Sequence, residues 1–295
     1  MIETIVQVAA DAVSLGGLYA LSALGIGLIF GVMRLINFAH GDLITAAGYA
    51  VLLFASQSVA FAIVGALVAA ILAALAIERA AFRPLRGADP ATLLIASFAV
   101  SVFLQKTLIL FVGGRPKGVN FLPVLEQQVA ILGIHVQLLQ IVTILVTAAI
   151  LIALSWFLKR TRYGLEMRAA AENFRVARLL GVRADRVIAM AFAISGALAA
   201  IVSLLFTAET GLVQPRMGLQ LVIVAFVSTV IGGLGNLAGA ALGGFLVGVT
   251  TILLQSLLPE DLRAFREAFV FIVVIAVLLL RPQGLLPARG LRERV

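Results

Sequence analysis

The sequence predicts an all-α membrane protein, a polytopic transmembrane helix bundle of about eight or nine spans in one domain over residues 1–295. Three observations carry this. Hydrophobic residues make up 62% of the 295 and charged residues 12%, whereas soluble domains carry roughly a quarter charged residues; mean hydropathy is +1.15. The apolar runs are continuous, without the alternation of barrel strands, and reach the roughly 20 residues that a helix needs to cross a bilayer core. Between them stand short breaks rich in Gly, Pro and Arg.

The first eleven residues, MIETIVQVAAD, have two acids and no basic run, so they do not read as a cleavable signal peptide. A first span is expected over 12–34, with Gly27 and Gly31 at a spacing that admits a close helix neighbour. At its end Arg34, Asn37, His40 and Asp42 crowd into nine residues. A short apolar segment at 43–58 and a span at 60–79 follow, then a loop with Glu78, Arg79, Arg83, Arg86 and Asp89. Its excess of arginine marks it as cytoplasmic, and Pro84, Gly87 and Pro90 stop the helix. The span at 91–112 carries Ser97, Ser101 and Gln105 on one face, a stripe that either lines a path or joins helices.

Residues 113–137 read as an extracytoplasmic loop. A span at 138–158 enters, and one at 187–208 leaves, a long polar stretch at 159–186. Residues 219–258 hold two helices joined by IGGLGNLAGA, or a re-entrant pair; Gly239/Gly243 and Gly244/Gly248 offer small faces. A last span covers 268–280, followed by a tail with Arg281, Arg289, Arg292 and Arg294. Counting from an acidic, outward N-terminus leaves the C-terminus and the loops at 79–90 and 159–186 in the cytoplasm. NFAHG (37–41) and NLAGA (236–240) form a weak internal echo, each in a Gly-rich break of the kind that lines substrate paths in transporters. This makes Asn37, His40, Gly41, Asp42, Ser97, Gln105, Gly232, Gly233 and Asn236 candidates for a translocation path or gate.

Several chemistries are absent. There is no cysteine, hence no disulfide or thiolate chemistry. The pI of about 11.0 arises from loop arginines and does not imply nucleic acid. His40 and Asp42 point to different sides of a helix and have no third ligand nearby, so neither a metal site nor a catalytic pair is expected; Asp42 reads as capping the next helix. No catalytic motif is present, which argues against an enzyme, and no cofactor is implied. None of the three lysines (106, 117, 159) follows a glycine, so the phosphate-binding loop of ATPases is missing. If ATP powers this protein, another chain binds it.

The stretch from Lys159 to Arg186 holds eight basic residues against three acids. From Gly164 to Leu180 it lacks proline and internal glycine, and Gly181 stands where a helix-ending glycine belongs. Leu165, Ala169, Phe174, Ala177 and Leu180 fit one apolar face of a short amphipathic helix or helix pair, leaving Met167, Arg168, Arg175 and Arg178 on others. Such a helix rests on anionic headgroups or fills a groove on a partner.

RAAAENFRVARLLGV (168–182) resembles the cytoplasmic coupling segment of ABC importer permeases. LINFAHGD, ERAAFRPLRG (78–87), FLQ (103–105) and IGGLGNLAGAALGG (231–244) resemble the permeases for high-affinity branched-chain amino acid uptake, in order and spacing along essentially the whole chain. The resemblance implies an ABC importer permease fold in the bacterial inner membrane, paired as a heterodimer with a second homologous permease subunit. It also implies two cytoplasmic ATP-binding subunits and an extracytoplasmic substrate-binding protein that delivers leucine, isoleucine, valine or related amino acids and amides. Gly164, Arg168, Ala169, Glu172, Asn173, Ala177, Leu180 and Gly181 would form the ATPase-coupling surface, while Arg216 and Glu260 would meet the binding protein. The alternatives are an ion-coupled secondary transporter or channel for a small polar solute, and a membrane scaffold. Ion coupling usually needs ionisable groups inside spans, and the sequence places little there beyond Lys106.

Overall fold

A computed structural model describes residues 2–131 and 134–287; the tail arginines 289, 292 and 294 lie outside them. Among the described residues helices α1 (Ile2–Met33), α2 (His40–Phe54), α3 (Val59–Ile77), α4 (Pro90–Val112) and α5 (Leu138–Arg160) lead to α6 (Arg162–Glu172) and α7 (Phe174–Leu179). There follow α8 (Ala184–Thr210), α9 (Met217–Gly232), α10 (Leu237–Leu257) and α11 (Arg266–Leu280). Six of these, α1, α3, α4, α5, α8 and α10, are long and apolar enough to cross a membrane, while α2 and α9 are apolar but shorter. The expected eight or nine spans therefore exceed the number that length and composition support.

Lipid tails are as apolar as leucine, so helices here associate by close packing and interhelical hydrogen bonds more than by hydrophobic burial. α1 is the centre. A Cβ on Gly244 would stand 2.6 Å from Ala20 Cα, and one on Gly248 would strike the Gly16 backbone, so α10 lies almost backbone to backbone on α1. The other small face of α10, Gly239 and Gly243, takes Gly232 and Ser228 of α9. α3 presents Ala62, Ala66, Ala70 and Ala74, all fully buried, and Gly196 of α8 packs on Ala70 and Ala74. This alanine stripe was hidden in the sequence by the uniform apolarity of the run. Gly27 touches Ala240, as its spacing predicted, but Gly31 has only Gly235 O at 4.0 Å.

Hydrogen bonds stitch the same helices: Thr229 Oγ1 donates to Ala23 O at 3.2 Å, and Gly218 N to Thr45 Oγ1 at 3.2 Å. Such bonds contribute about 0.6 kcal/mol each in membranes. By contrast 17% of the apolar stretch of α4 and 22% of α5 is buried, against 78% of α1, so α4 and α5 stand at the periphery.

The 113–137 loop is more ordered than expected. β1 (Lys117–Gly118) pairs antiparallel with β4 (Leu212–Val213), and β2 (Gln128–Ile131) with β3 (Ile134–Gln137). Both pairs lie at one end of the bundle. The 78–89 loop, α6–α7, the 233–236 turn and the segment after α11 gather at the other, where Gly233 packs on Leu286 and Arg83 reaches Asp185. α3 begins on the Ser58 cap (Phe61 N to Oγ, 3.2 Å) and α4 on Asp89 (Thr92 N to Oδ1, 3.0 Å) with Pro90 at its first position. The bonds from Thr92, backbone N–H first, hold the Asp89 carboxyl below its ordinary range.

Candidate functional site

The polar stretch after α5 is a helix pair. Thr161 ends α5 and caps α6, its Oγ1 donating to Phe157 O at 2.7 Å and accepting from Gly164 N at 3.0 Å. Gly164 then lies on the α5 backbone, where a Cβ would be 2.6 Å from Leu158 Cα. Only glycine lets α6 fold back this closely. Asn173 breaks the helix at extended backbone and caps α7, its Oδ1 accepting from Val176 N at 3.1 Å. Gly181, at φ +88°, closes α7 while Val182 N reaches back to Ala177 O.

The inward face differs in part from the one expected. Gly164, Met167, Ala170 and Ala177 turn inward, while Leu165 and Leu180, placed on the apolar face by the sequence, are 59% and 78% exposed. Leu165 precedes Asn173 and turns outward on α6 itself, whereas Ala177 turns inward as expected and Leu180 stands just past the end of α7. Leu179, at 83% exposed, and Val176 join Leu180 in an apolar patch on a polar segment. Arg168 and Glu172 line a cavity of about 1000 Å³ between α6, α5, α1 and the α9–α10 turn.

A charge cluster ties this segment to the loop after α3. Arg83 Nη2 lies 3.0 Å from Asp185 Oδ2, and Arg86 bridges Asp185 and the buried Glu78. The sequence reading took these arginines only as markers of sidedness; partners about 100 residues apart leave no local signal.

The other candidate residues meet inside the bundle. α1 ends with Arg34 at φ +54°, the left-handed position usual for glycine. Residues 34–39 then fold back along α1, so that His40 sits against Gly25. Asn37, His40 and Asp42 are all buried among the helices. Asn37 Oδ1 accepts from Ala39 N at 3.1 Å, and Phe38 N donates to Ser97 Oγ at 3.3 Å. Gly41 meets Gly218 backbone to backbone. Ser195 Oγ donates to Gly25 O at 3.0 Å and lies 3.0 Å from His40 Nδ1. With the one hydroxyl proton committed to Gly25, the bond to His40 takes Nδ1–H as donor.

Asp42 faces Ser101 and Gln105 of α4, and Gln105 Nε2 donates to Ser101 Oγ at 3.0 Å. It does not cap α2, whose N-cap position is Ala39 with no side-chain bond. His40 Nε2, Asp42 Oδ2 and Asn37 Nδ2 have no hydrogen-bond partner. Asn37, His40, Asp42, Ser97 and Gln105 thus form one polar layer between α1, α2, α4 and α8, with Gly41 beside them against α9; His40 and Asp42 stand on α2, one of the shorter apolar helices. Among the described residues no three His, Cys, Asp or Glu side chains approach as a metal site would require.

Gly232, Gly233 and Asn236 group elsewhere. Asn236 caps α10 by accepting from Gly239 N at 3.1 Å, and Leu285 N and Leu286 N donate to Ile231 O and Gly232 O at 2.8 and 2.9 Å. The segment after α11 straps this turn.

Residues 8–278 match the family described as branched-chain amino acid transport system, permease component. The chain belongs to that family. This permease is 33% identical over 290 residues to the high-affinity branched-chain amino acid transport system permease protein BraD of Pseudomonas aeruginosa, covering 94% of each chain. It is also 33% identical over 293 residues to LivH of Escherichia coli K12, a protein of the same description, covering 94% of this permease and 93% of LivH. A probable branched-chain amino acid transport permease of Methanocaldococcus jannaschii is 27% identical over 296 residues. No solved structure matches the permease.

Proposed function

We propose that this chain is a membrane-spanning subunit of an ATP-driven importer of the bacterial inner membrane. It pairs with a second homologous permease, takes branched-chain or related amino acids or amides from an extracytoplasmic binding protein, and is driven by two cytoplasmic ATP-binding subunits. The N-terminus lies outside, the C-terminus in the cytoplasm, and α2, α9 and α11 complete nine membrane passages. One observation carries the reading: α6–α7 leaves Leu179 and Leu180 exposed on a cationic segment, at the end of the bundle where the basic loops gather. An apolar patch in that setting suits a protein groove.

In this mechanism closure of the ATPases moves α6–α7. Gly164 and Asn173 set its angles, Ala169, Ala177 and Gly181 its packing, and Leu180 its contact, while Arg168 and Glu172 report to the α9–α10 turn. The motion tilts α5 and α8 and opens the polar layer from Asn37 to Gln105, with Gly232, Gly233 and Asn236 as a second gate. Nucleotide shifts the equilibrium only by its differential affinity for the two states. Arg216 and Glu260 face the binding protein.

The test is co-purification and uptake with the co-encoded subunits. Leu179→Asp with Leu180→Asp should lose the ATPase subunits while the permease remains monodisperse. Arg168→Glu or Glu172→Lys should retain them yet lose stimulated ATP hydrolysis and uptake together. Purification without any ATPase in gentle detergent, or normal coupling in all these variants, would sink the reading.

A further inference from the structure

The cavity beside α6 divides by chemistry. Leu24, Leu28, Leu154, Leu158 and Ala241 make its walls apolar, and Leu242 on its rim is 47% exposed. Its polar lining holds Arg34 just after α1, Lys159 at the end of α5 and Arg168 within α6, with Glu172 the one acid among the lining residues. Among the described residues no carboxylate lies within ion-pairing distance of these three cations. Arg34 takes the one positive φ of a non-glycine residue among those described, a conformation that costs energy unless its surroundings impose it.

Three cations lining a cavity of about 1000 Å³ with no ion-pair partner among the described residues call for an anion, and the apolar walls call for a hydrocarbon tail. A free amino acid would leave most of that volume empty, and a soluble phosphate would leave the leucine walls unused. A bilayer presents both parts on one molecule, at a basic face where anionic headgroups are attracted by each Lys or Arg. We propose that this cavity binds one anionic phospholipid, its phosphate on Arg34, Lys159 and Arg168 and an acyl chain along α1, α5 and α10. The bound lipid touches both α6 and the α9–α10 turn, so its presence biases how these two move. The site stands whether or not the chain serves an ATP-driven importer.

Trp156 is the single tryptophan, which makes a clean reporter possible. Trp156→Phe with Leu242→Trp places the only indole on the cavity rim. The purified chain in neutral detergent is titrated with phosphatidylglycerol or phosphatidylcholine carrying brominated acyl chains. Phosphatidylglycerol should quench at a mole fraction at least about fivefold lower than phosphatidylcholine. Arg34→Gln with Lys159→Gln, both at exposed positions, should bring the two curves together with unchanged thermal unfolding. Identical curves in the parent, or a preference that survives the double substitution, would overturn the proposal. Release of the brominated lipid by millimolar glycerol phosphate would make the occupant a soluble phosphate ester and overturn it equally.

Discussion

At Gly248 the absent side chain is the structural element, because the Gly16 backbone occupies the place a Cβ would take. Neither partner has a flexible side chain that can yield. Gly248→Val should therefore destabilise the bundle by about 1–3 kcal/mol or more, read as a fall in detergent Tm, while Gly114→Ala, whose nearest neighbour is Ile109 Cγ2 at 3.9 Å, should leave it unchanged. Ser195 is a second single-atom dependency. Ser195→Ala leaves His40 Nδ1 buried without a partner and removes a second bond from the Gly25 carbonyl, which keeps its helical one, a loss of about 1–3 kcal/mol, measurable as a Tm shift without loss of insertion. At this scale the sequence is half legible. Glycine spacing announced that α10 has small faces, but not that one takes α1 and the other α9. His40 and Asp42 were recognised as unusual, yet their burial depends on Arg34 turning the chain back at positive φ, for which arginine carries no signal.

Between elements, the Glu78–Arg86–Asp185 bridge joins the end of α3 to the start of α8. Arg86 holds Glu78, which is nearly buried, more than it holds the exposed Asp185, since exposed pairs contribute little and an orphaned buried charge is costly. Arg86→Met alone should depress uptake strongly, and Arg86→Met with Glu78→Gln should recover much of it by removing the stranded charge. Equal defects in single and double variants, in a transport assay normalised to membrane expression, would show that the bridge itself transmits the motion. The bounds of α4 and α5 were legible to within two residues, with Pro90 marking the start of α4, but α1 begins at Ile2, ten residues before the span expected from residue 12. The α6–α7 face was legible only in part. Asn173 is a good cap but also a tolerable helix residue, and α7 is so short that Ala177 turns inward while Leu180, just past its end, is exposed.

For the whole molecule, the all-α membrane class and the family followed from composition and from motifs spread along the chain. The central position of α1 did not, because its partners are assigned by packing among many equally apolar runs. That arrangement has a consequence for biogenesis. Gly16 meets Gly248 about 230 residues later in the chain, and closing such a distant contact is slow. α1 enters the bilayer before α10 and must wait there with this small-residue face unfilled until α10 has been made. The centre of this permease is thus the last part to close, and a nascent chain cut short of α10 is one that quality control can recognise by its exposed first helix.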